Sequence, residues 1–598
     1  MDNNAKNGWK AFSGSGFDRK AVLRRFKKAE VATTRHAHRF LVSRLDNARA
    51  VRKEVGVWMV LMGLMIAGMG VQFGFSQRGY MQQAPSQGGT YSEAVVGPVA
   101  TLNPLYASSS AEVSFSKLAF SSLYDYDNTG FLRKDLATNL TIEQGGAVYK
   151  VDIRKDAKWS DGQPLTAKDV VFTINLIKNP ATRSPLRVNW ADVTAKAIGD
   201  YTVELKLPAT YAAFPHALTF PVLPVHMLLD VNAGALRESA FSRNPIGSGP
   251  FVFKLLQQAD TITNYQAIHL VANQKYYGGQ AKLDQFELYA YANEDDIKVA
   301  LQAGEVNGAA GAENIQAKDL GAIYNATNVP LASGVYALFN NGSPVLNDVR
   351  VRKALQIGTD MEKVRQAVGG RVLPLSLPFT DGQVPGVPMA PALNVAQAIA
   401  SLDEAGWRLS DGVRTKEDRP LQLAITTTSD KQYVAAANEL AKQWEALGVR
   451  VTVSSIDAAS ISAQFAHTVL QHRNFDVLVY ELAIGADPDV YAYWHSSQGG
   501  MNIGGYNFAN YSNKNADAAL ASARSRIDGA LRNAKYVAFA RQWLDDAPAL
   551  GLYQPVLEYV VNKKNTAIIN GAKLISPSDR YSNVLDWSVE SSAVYKTP

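Results

Sequence analysis

Val55 to Phe75 of this chain, VGVWMVLMGLMIAGMGVQFGF, holds no charged residue and a single amide, Gln72. As a helix these 21 residues rise about 31 Å, enough to cross a hydrocarbon core of roughly 30 Å. The run predicts a transmembrane helix over 55–75. The 54 residues before it are far more than the short basic start of a cleaved signal peptide. Residues 1–54 carry 14 Lys and Arg against 5 Asp and Glu, while the whole chain carries only +6, so the basic balance belongs to this tail and the remainder is net acidic. Only Arg78 follows the run within a dozen residues. The positive-inside rule therefore predicts a single-pass membrane protein with a cytoplasmic tail and an extracytoplasmic body.

From Asp18 to Val55 the tail has no Gly or Pro, and Leu41, Leu45 and Ala48 recur at helical spacing. That pattern fits a basic helix on anionic lipid, or a solvated segment that enforces topology. No nucleic-acid motif accompanies the charge, so no nucleic-acid partner is expected. After the anchor, SQRGYMQQAPSQGG is rich in Gln, Ser and Gly and predicts a flexible tether over 76–87.

The body from Gly88 onward exceeds what one hydrophobic core usually supports, which implies at least two lobes. The chain has no cysteine, which removes disulfides, thiolate nucleophiles and cysteine-based metal centres. It also lacks a phosphate-cradling glycine loop, a dinucleotide fingerprint, a nucleophile elbow and an HExxH motif. Six histidines, His216, His226, His269, His467, His472 and His495, are scattered without metal spacing, and the acid pairs Asp487/Asp489 and Asp545/Asp546 are of a kind common in turns and on helix faces. The expectation is a protein that is not an enzyme, with no catalytic residues, metal or cofactor.

One stretch nevertheless concentrates polar groups: KWSDGQPLTAKDVVFTINLI, from Lys158 to Ile177. Before it, Tyr149, Val151 and Ile153 alternate with Lys150, Asp152 and Arg154 as in a half-buried strand. Asp161, Gly162 and Pro164 then supply turn chemistry. Thr166 stands at a helix N-cap with Asp169 as its capping-box partner, followed by an apolar stripe of Val170, Ile174 and Ile177. Turn and cap formation account for every polar group in the motif.

Together with LRKDLATNL upstream, this stretch resembles the signature of extracellular solute-binding proteins of family 5, the peptide- and nickel-binding components of ABC importers. The resemblance runs through the body, in TLNPL (101–105), LPVHML (223–228), NPIGSGPFVF (244–253), LQAGEVNGA (301–309), VRKALQIGTDMEKV (351–364), LAKQWEALGVRV (440–451) and FDVLVYELAIGADPD (475–489). It implies an α/β, two-lobed class II periplasmic-binding-protein fold with an extra subdomain, preceded by one transmembrane helix. The implied limits are 88–342 for lobe 1, including an extra subdomain at about 121–245, 343–554 for lobe 2, and 555–598 for the return to lobe 1. The residues independently predict a β-α-β-α-β run in lobe 2: strand 421–429, helix 431–447, strand 449–456, helix 460–472 and strand 475–482. Right-handed crossovers make this a parallel sheet with helices on both faces, and ligands bind beyond the carboxyl ends of such strands.

By resemblance to the peptide-binding relatives, the strand before the DP turn pairs with the ligand backbone, which maps here to Tyr480, Glu481, Leu482, Ala483 and Ile484. The position of the relatives' ammonium-anchoring aspartate is Ile484, and an apolar side chain cannot pair with an ammonium. Glu481 and Asp487 stand nearby as candidate substitutes. The relatives' ligand-contacting strand in lobe 1 matches Ser108, Ser109, Ser110 and Ala111. Tyr491, Tyr493, Trp494, Tyr506 and Phe508 follow within 18 residues, and Tyr491 and Trp494 are candidate cleft walls. The implied partners are a peptide or other small solute and an ABC permease, with a monomeric body. Another solute such as a nickel chelate or oligosaccharide, a ligand sensor or scaffold, and a hydrolase built on the same scaffold are the alternatives.

Overall fold

A computed structural model of the chain describes residues 52–595 apart from 260–263, 312–314, 316–319, 321–322, 370, 457–460, 501–503 and 568–570. The expected basic tail helix lies outside these residues. Two compact units divide the chain, one holding the apolar helix and the other running from Pro85 to Ser591.

In the first unit, helix α1 (Arg52–Tyr80) is followed by strand β1 (Met81–Pro85), which pairs with Ser591–Tyr595 near the chain's end. Within α1, Arg52–Phe73 has a mean hydropathy of 1.8 and is unburied; among the described residues it is the one helix long and apolar enough to cross a membrane. The stretch 76–87, expected as a flexible tether, continues the helix to Tyr80 and then forms a paired strand. Gln and Ser tolerate a helix whose apolar part is already formed, and the returning C-terminal strand supplies backbone partners that the tether's composition alone does not announce.

The second unit opens with β2 (Thr90–Val96) and helix α2 (Ser110–Ala119). The extra subdomain follows: β3 (Ala137–Glu143), β4 (Val148–Ile153), α3 (Ala167–Lys178), β5 (Thr194–Ala197) and β6 (Thr202–Lys206), in an antiparallel sheet of order β3-β4-β6-β5. The chain continues through β7 (Phe251–Gln257), β8 (Tyr265–Ala272), β9 (Gln285–Tyr291), β10 (Gly308–Ala310) and β11 (Tyr324–Pro330), then β12 (Ser333–Phe339), β13 (Gln422–Thr428), α4 (Lys431–Ala446), β14 (Arg450–Ile456) and β15 (Val477–Ala483). Helices α5 (Lys514–Arg524) and α6 (Gly529–Asp546) precede β16 (Ala549–Tyr553) and β17 (Val556–Asn562).

These strands form two sheets. The first lobe's sheet has the order β11-β17-β10-β2-β9-β8-β7 and the second lobe's β14-β13-β15-β12-β16. The predicted β-α-β-α-β run is present, with β13 parallel to both β14 and β15, and Ile461–Gln471 is a π-helix. The sheet is nevertheless mixed, because β12 enters antiparallel between β15 and β16. Its two faces bury separate cores, one containing Val335, Val477 and Trp444 and the other Tyr336, Leu478 and Trp543.

The chain crosses between lobes twice, at 331–332 and at 554–555. The crossings are stitched together by Leu331 N–H to Pro555 C=O (3.1 Å) and Gln554 Nε2 to Leu331 C=O (2.7 Å). Lobe 2 therefore begins at β12 rather than at 343. Ser333–Phe339 reads as a strand under either assignment, and only its register against β15 fixes the lobe.

The polar stretch Lys158 to Ile177 folds as its turn and cap chemistry demands. Asp161 Oδ1 accepts Gln163 N–H (3.0 Å), Gly162 takes φ +98°, and Asp169 accepts both Thr166 N–H (2.8 Å) and Thr166 Oγ1–H (3.1 Å). Val170, Ile174 and Ile177 are fully buried. Two further contacts lay beyond local reasoning: His226 Nε2 meets Asp161 Oδ2 at 2.8 Å and Val225 N–H reaches Asp169 Oδ1 at 3.0 Å. The motif thus fastens the subdomain's turn to the segment around 225.

Candidate functional site

The carboxyl end of β15 lies where both lobes meet. On one flank β12 pairs with the strand along its full length, Val477 to Ala483. On the other, β13 pairs only at Val477 and Leu478, so beyond Leu478 that flank has no strand partner among the described residues. Val479 C=O takes Thr427 Oγ1–H (3.0 Å) and Ala483 C=O takes Tyr493 O–H (2.8 Å). Because strand residues alternate sides, the main-chain groups of Glu481 face that same open flank. The strand end is held by Ile484 and Gly485 N–H on Ala332 C=O (3.0 and 2.8 Å), directly beside the crossing at 331–332.

The side chains around this edge divide sharply. Leu482 and Ile484 are buried, Ile484 at 5% exposure, within the core that also holds Phe508 and Trp543. Trp494, expected as a cleft wall, is 1% exposed, with ring centroids 5.5 Å from Trp543 and 6.0 Å from Tyr336. It belongs to the core of lobe 2, because the short helix Tyr491–Trp494 turns its last residue inward. Glu481 projects to the opposite face, half-buried, and accepts Tyr433 O–H at 2.8 Å. Burial, then the Glu481 charge, push the Tyr433 phenol well above its ordinary range. Among the described residues Glu481 enters no ion pair.

Asp487 is not available as a substitute anchor. Its carboxylate is gripped by both terminal nitrogens of Arg532, at 2.9 and 2.7 Å. Burial works against the Arg532 guanidinium, and the hydrogen bonds and charge of Asp487 overcome it. His216 of the extra subdomain completes the cluster, with Nε2 3.9 Å from Asp487 Oδ2 and Nδ1 2.9 Å from Tyr126 Oη. Burial holds this imidazole below its ordinary value; Asp487 raises it and Arg532 lowers it further.

In the first lobe, Ser108 to Ala111 is a helix start rather than a strand. Ser109 is the N-cap of α2, accepting Glu112 N–H at 3.2 Å, and Ala111 is fully buried. Glu112 accepts the backbone N–H groups of Ala100, Thr101, Ser108 and Ser109 at 2.8–3.2 Å, so the acid beside the serines is consumed by the loop it folds. Ser108 and Ser110 remain exposed.

A cavity of about 460 Å³ adjoins this loop, with Leu105, Val113, Trp190 and Phe220 among its apolar walls and Lys117, His216 and Asp579 among its polar ones. Its size falls in the range of small-ligand pockets. Sequence reasoning missed Tyr126, Tyr211 and His216, which carry no motif and reach the site only through the fold of the extra subdomain.

A model of the family "Bacterial extracellular solute-binding proteins, family 5 Middle" matches residues 132–503. The chain belongs to that family. The oligopeptide-binding protein AppA of Bacillus subtilis is 28% identical over 498 residues, covering 79% of this chain and 87% of AppA. A probable deoxycholate-binding periplasmic protein of Escherichia coli is 26% identical over 520 residues, covering 80% of this chain and 90% of its own. Among solved structures, AppA with a nonapeptide superposes with a TM-score of 0.67 at 25% identity, over 84% of this chain and 99% of the other. NikZ of Campylobacter jejuni with Ni(L-His) gives 0.69 at 25%, over 83% and 99%. This family-5 chain therefore has the class II binding-protein architecture, and solutes as different as a nonapeptide and a nickel chelate are held by proteins comparably similar to it.

Proposed function

We propose that this family-5 protein captures an oligopeptide between its lobes and delivers it to the permease of an ABC importer, while α1 anchors it with the tail in the cytoplasm and the body outside. The observation that carries the peptide assignment is the open flank of β15 beyond Leu478. Main-chain groups at Glu481, without a strand partner among the described residues, are suited to an extended peptide, which satisfies them by adding a strand, whereas a rigid solute without a backbone does not. Among the described residues Glu481 is the half-buried carboxylate without a cation at this edge, and it takes the ammonium role that Ile484 cannot. The membrane assignment rests on the length and hydropathy of α1 and on the charge of the tail.

The test is native mass spectrometry of the detergent-solubilised full chain, first as purified and then after exposure to a pool of two- to nine-residue peptides. A ladder of bound peptides supports the reading. A metal chelate or bile salt as the retained solute, or a cleft that stays empty against the pool, overturns it.

A further inference from the structure

In a two-lobed binding protein, closure is usually driven by contacts that each lobe makes with the ligand. Here the lobes also touch each other directly. Ala212 N–H, in the extra subdomain of the first lobe, donates to Arg524 C=O in the second at 2.9 Å. Arg524 is the last residue of α5, so its carbonyl is one of the helix-end acceptors that has no donor within the helix. The other lobe supplies that donor.

The Arg524 side chain makes the same crossing. Its guanidinium carbon Cζ lies 4.5 Å from the ring centre of Tyr211, in the first lobe, and 4.6 Å from that of Tyr491, in the second. Its Nε is 3.4 Å from Asp489 Oδ2, and burial, then the charge of that same carboxylate, push the Tyr211 phenol above its ordinary range. Beside them Ile527 packs so closely on Gly146, which takes φ +94°, that a Cβ there would come within 2.9 Å of Ile527 Cδ1. A planar cation between two aromatic faces, over a carboxylate, is a directional arrangement with no need of a third molecule.

We propose that Tyr211 and Arg524, with Asp489, form a ligand-independent latch that holds the two lobes closed at this flank and sets the closed population of the empty protein. The latch rests on contacts alone and is independent of which solute the cleft takes. A solute that binds the closed form is held more tightly in proportion to that population, and it leaves only after the latch opens.

The chain has no cysteine, so paired labels can be placed at will. Ile198, 52% exposed in the extra subdomain, and Leu409, 60% exposed in lobe 2, are replaced by cysteine in the full-length protein. Single-molecule energy transfer between them then reads the lobe separation, with the cleft verified empty by native mass spectrometry. Of these side-chain contacts, that of Arg524 with Tyr211 spans the lobes; worth a factor of a few, it predicts that Tyr211→Ala or Arg524→Ala lowers the closed-to-open ratio about threefold or more. Tyr211→Phe and Arg524→Lys, which keep the fold and part of the latch, give intermediate ratios. Arg526→Ala is the control, because its side chain turns to Ser522 Oγ at 3.0 Å, and it leaves the ratio unchanged. The proposal is overturned if empty wild-type protein shows no closed population. Equal ratios for wild type, Tyr211→Ala and Arg524→Ala overturn it as well.

Discussion

Replacing Ile484 by aspartate installs the residue type that the resemblance to peptide-binding proteins implies for this position, so the resemblance alone predicts improved capture of free N-termini. The packing predicts the opposite. Ile484 is 5% exposed among apolar neighbours, and the loss of its burial costs about 2–3 kcal/mol. A carboxyl placed there has no cation beside it, and desolvation adds at least about 2 kcal/mol more, for a total near 4–5 kcal/mol. The sign of the pH dependence is a second signature. A buried carboxyl has a folded-state pKa above its unfolded value of about 3.9, so the folded variant binds the extra proton and its stability falls as pH rises. The deficit of Ile484→Asp is expected to be larger at pH 8 than at pH 5, whereas Ile484→Ala, at about 2–4 kcal/mol, shows no such trend. Urea denaturation of the detergent-solubilised protein, followed by tryptophan fluorescence at both pH values, measures this. Wild-type stability of Ile484→Asp at pH 8, together with tighter binding of peptides bearing a free amine, would falsify the assignment of residue 484 to the core.

Two further outcomes follow from the cleft. Glu481→Gln keeps the shape of the side chain and its bond to Tyr433, and it is expected to weaken binding of free-amine peptides at least tenfold while leaving N-acetylated ones unchanged; calorimetry showing equal losses for both would remove Glu481 from the ammonium role. Burial holds the His216 imidazole below its ordinary value of 6.5, so the proton is bound less readily where His216 faces Tyr126, Asp487 and Arg532 than where it is solvated. Its contribution to closure is therefore complete above pH 6.5 and is lost as pH falls below it. The closed population should drop between pH 7.5 and 5.5 in wild type and stay flat in His216→Gln, and a rise on acidification would show that Asp487, not burial, governs the group.

What could be read from the chain alone follows the range of the forces involved. The turn at Asp161–Gly162 and the cap at Thr166–Asp169 are set by residues within three positions of each other, and their geometry matches the reading bond for bond. The strands of lobe 2 were legible for the same reason, since alternation and capping are local. The inward turn of Trp494 was not, because Tyr491 and Trp494 sit on one short helix and only the packing of Trp543 against it decides which ring is buried. The boundary at Ser333 was hidden because SGVYALF is a strand wherever it is placed. Tyr211 and His216 stand more than 270 residues from Asp487 and Asp489, and no periodicity reports such a meeting.

The DPD turn then takes on a different role from the one its position suggests. Asp487 is bound at both carboxylate oxygens by Arg532, and Asp489 is paired with Arg524, whose guanidinium also lies over the Tyr211 ring. Burial and the neighbouring Asp487 together raise the Asp489 carboxyl, against Arg524, so this acid would be poorly tolerated without Arg524. Two carboxylates placed beyond the carboxyl end of a central strand are an expected place for ligand charge, yet here each is already satisfied by arginine. A ligand that displaced either would first have to break the bidentate pair of Arg532 with Asp487 or the ion pair of Arg524 with Asp489. On the latch proposed above, the turn serves closure, and on the proposed peptide reading recognition of the solute falls to the open main-chain edge and the half-buried carboxylate of Glu481.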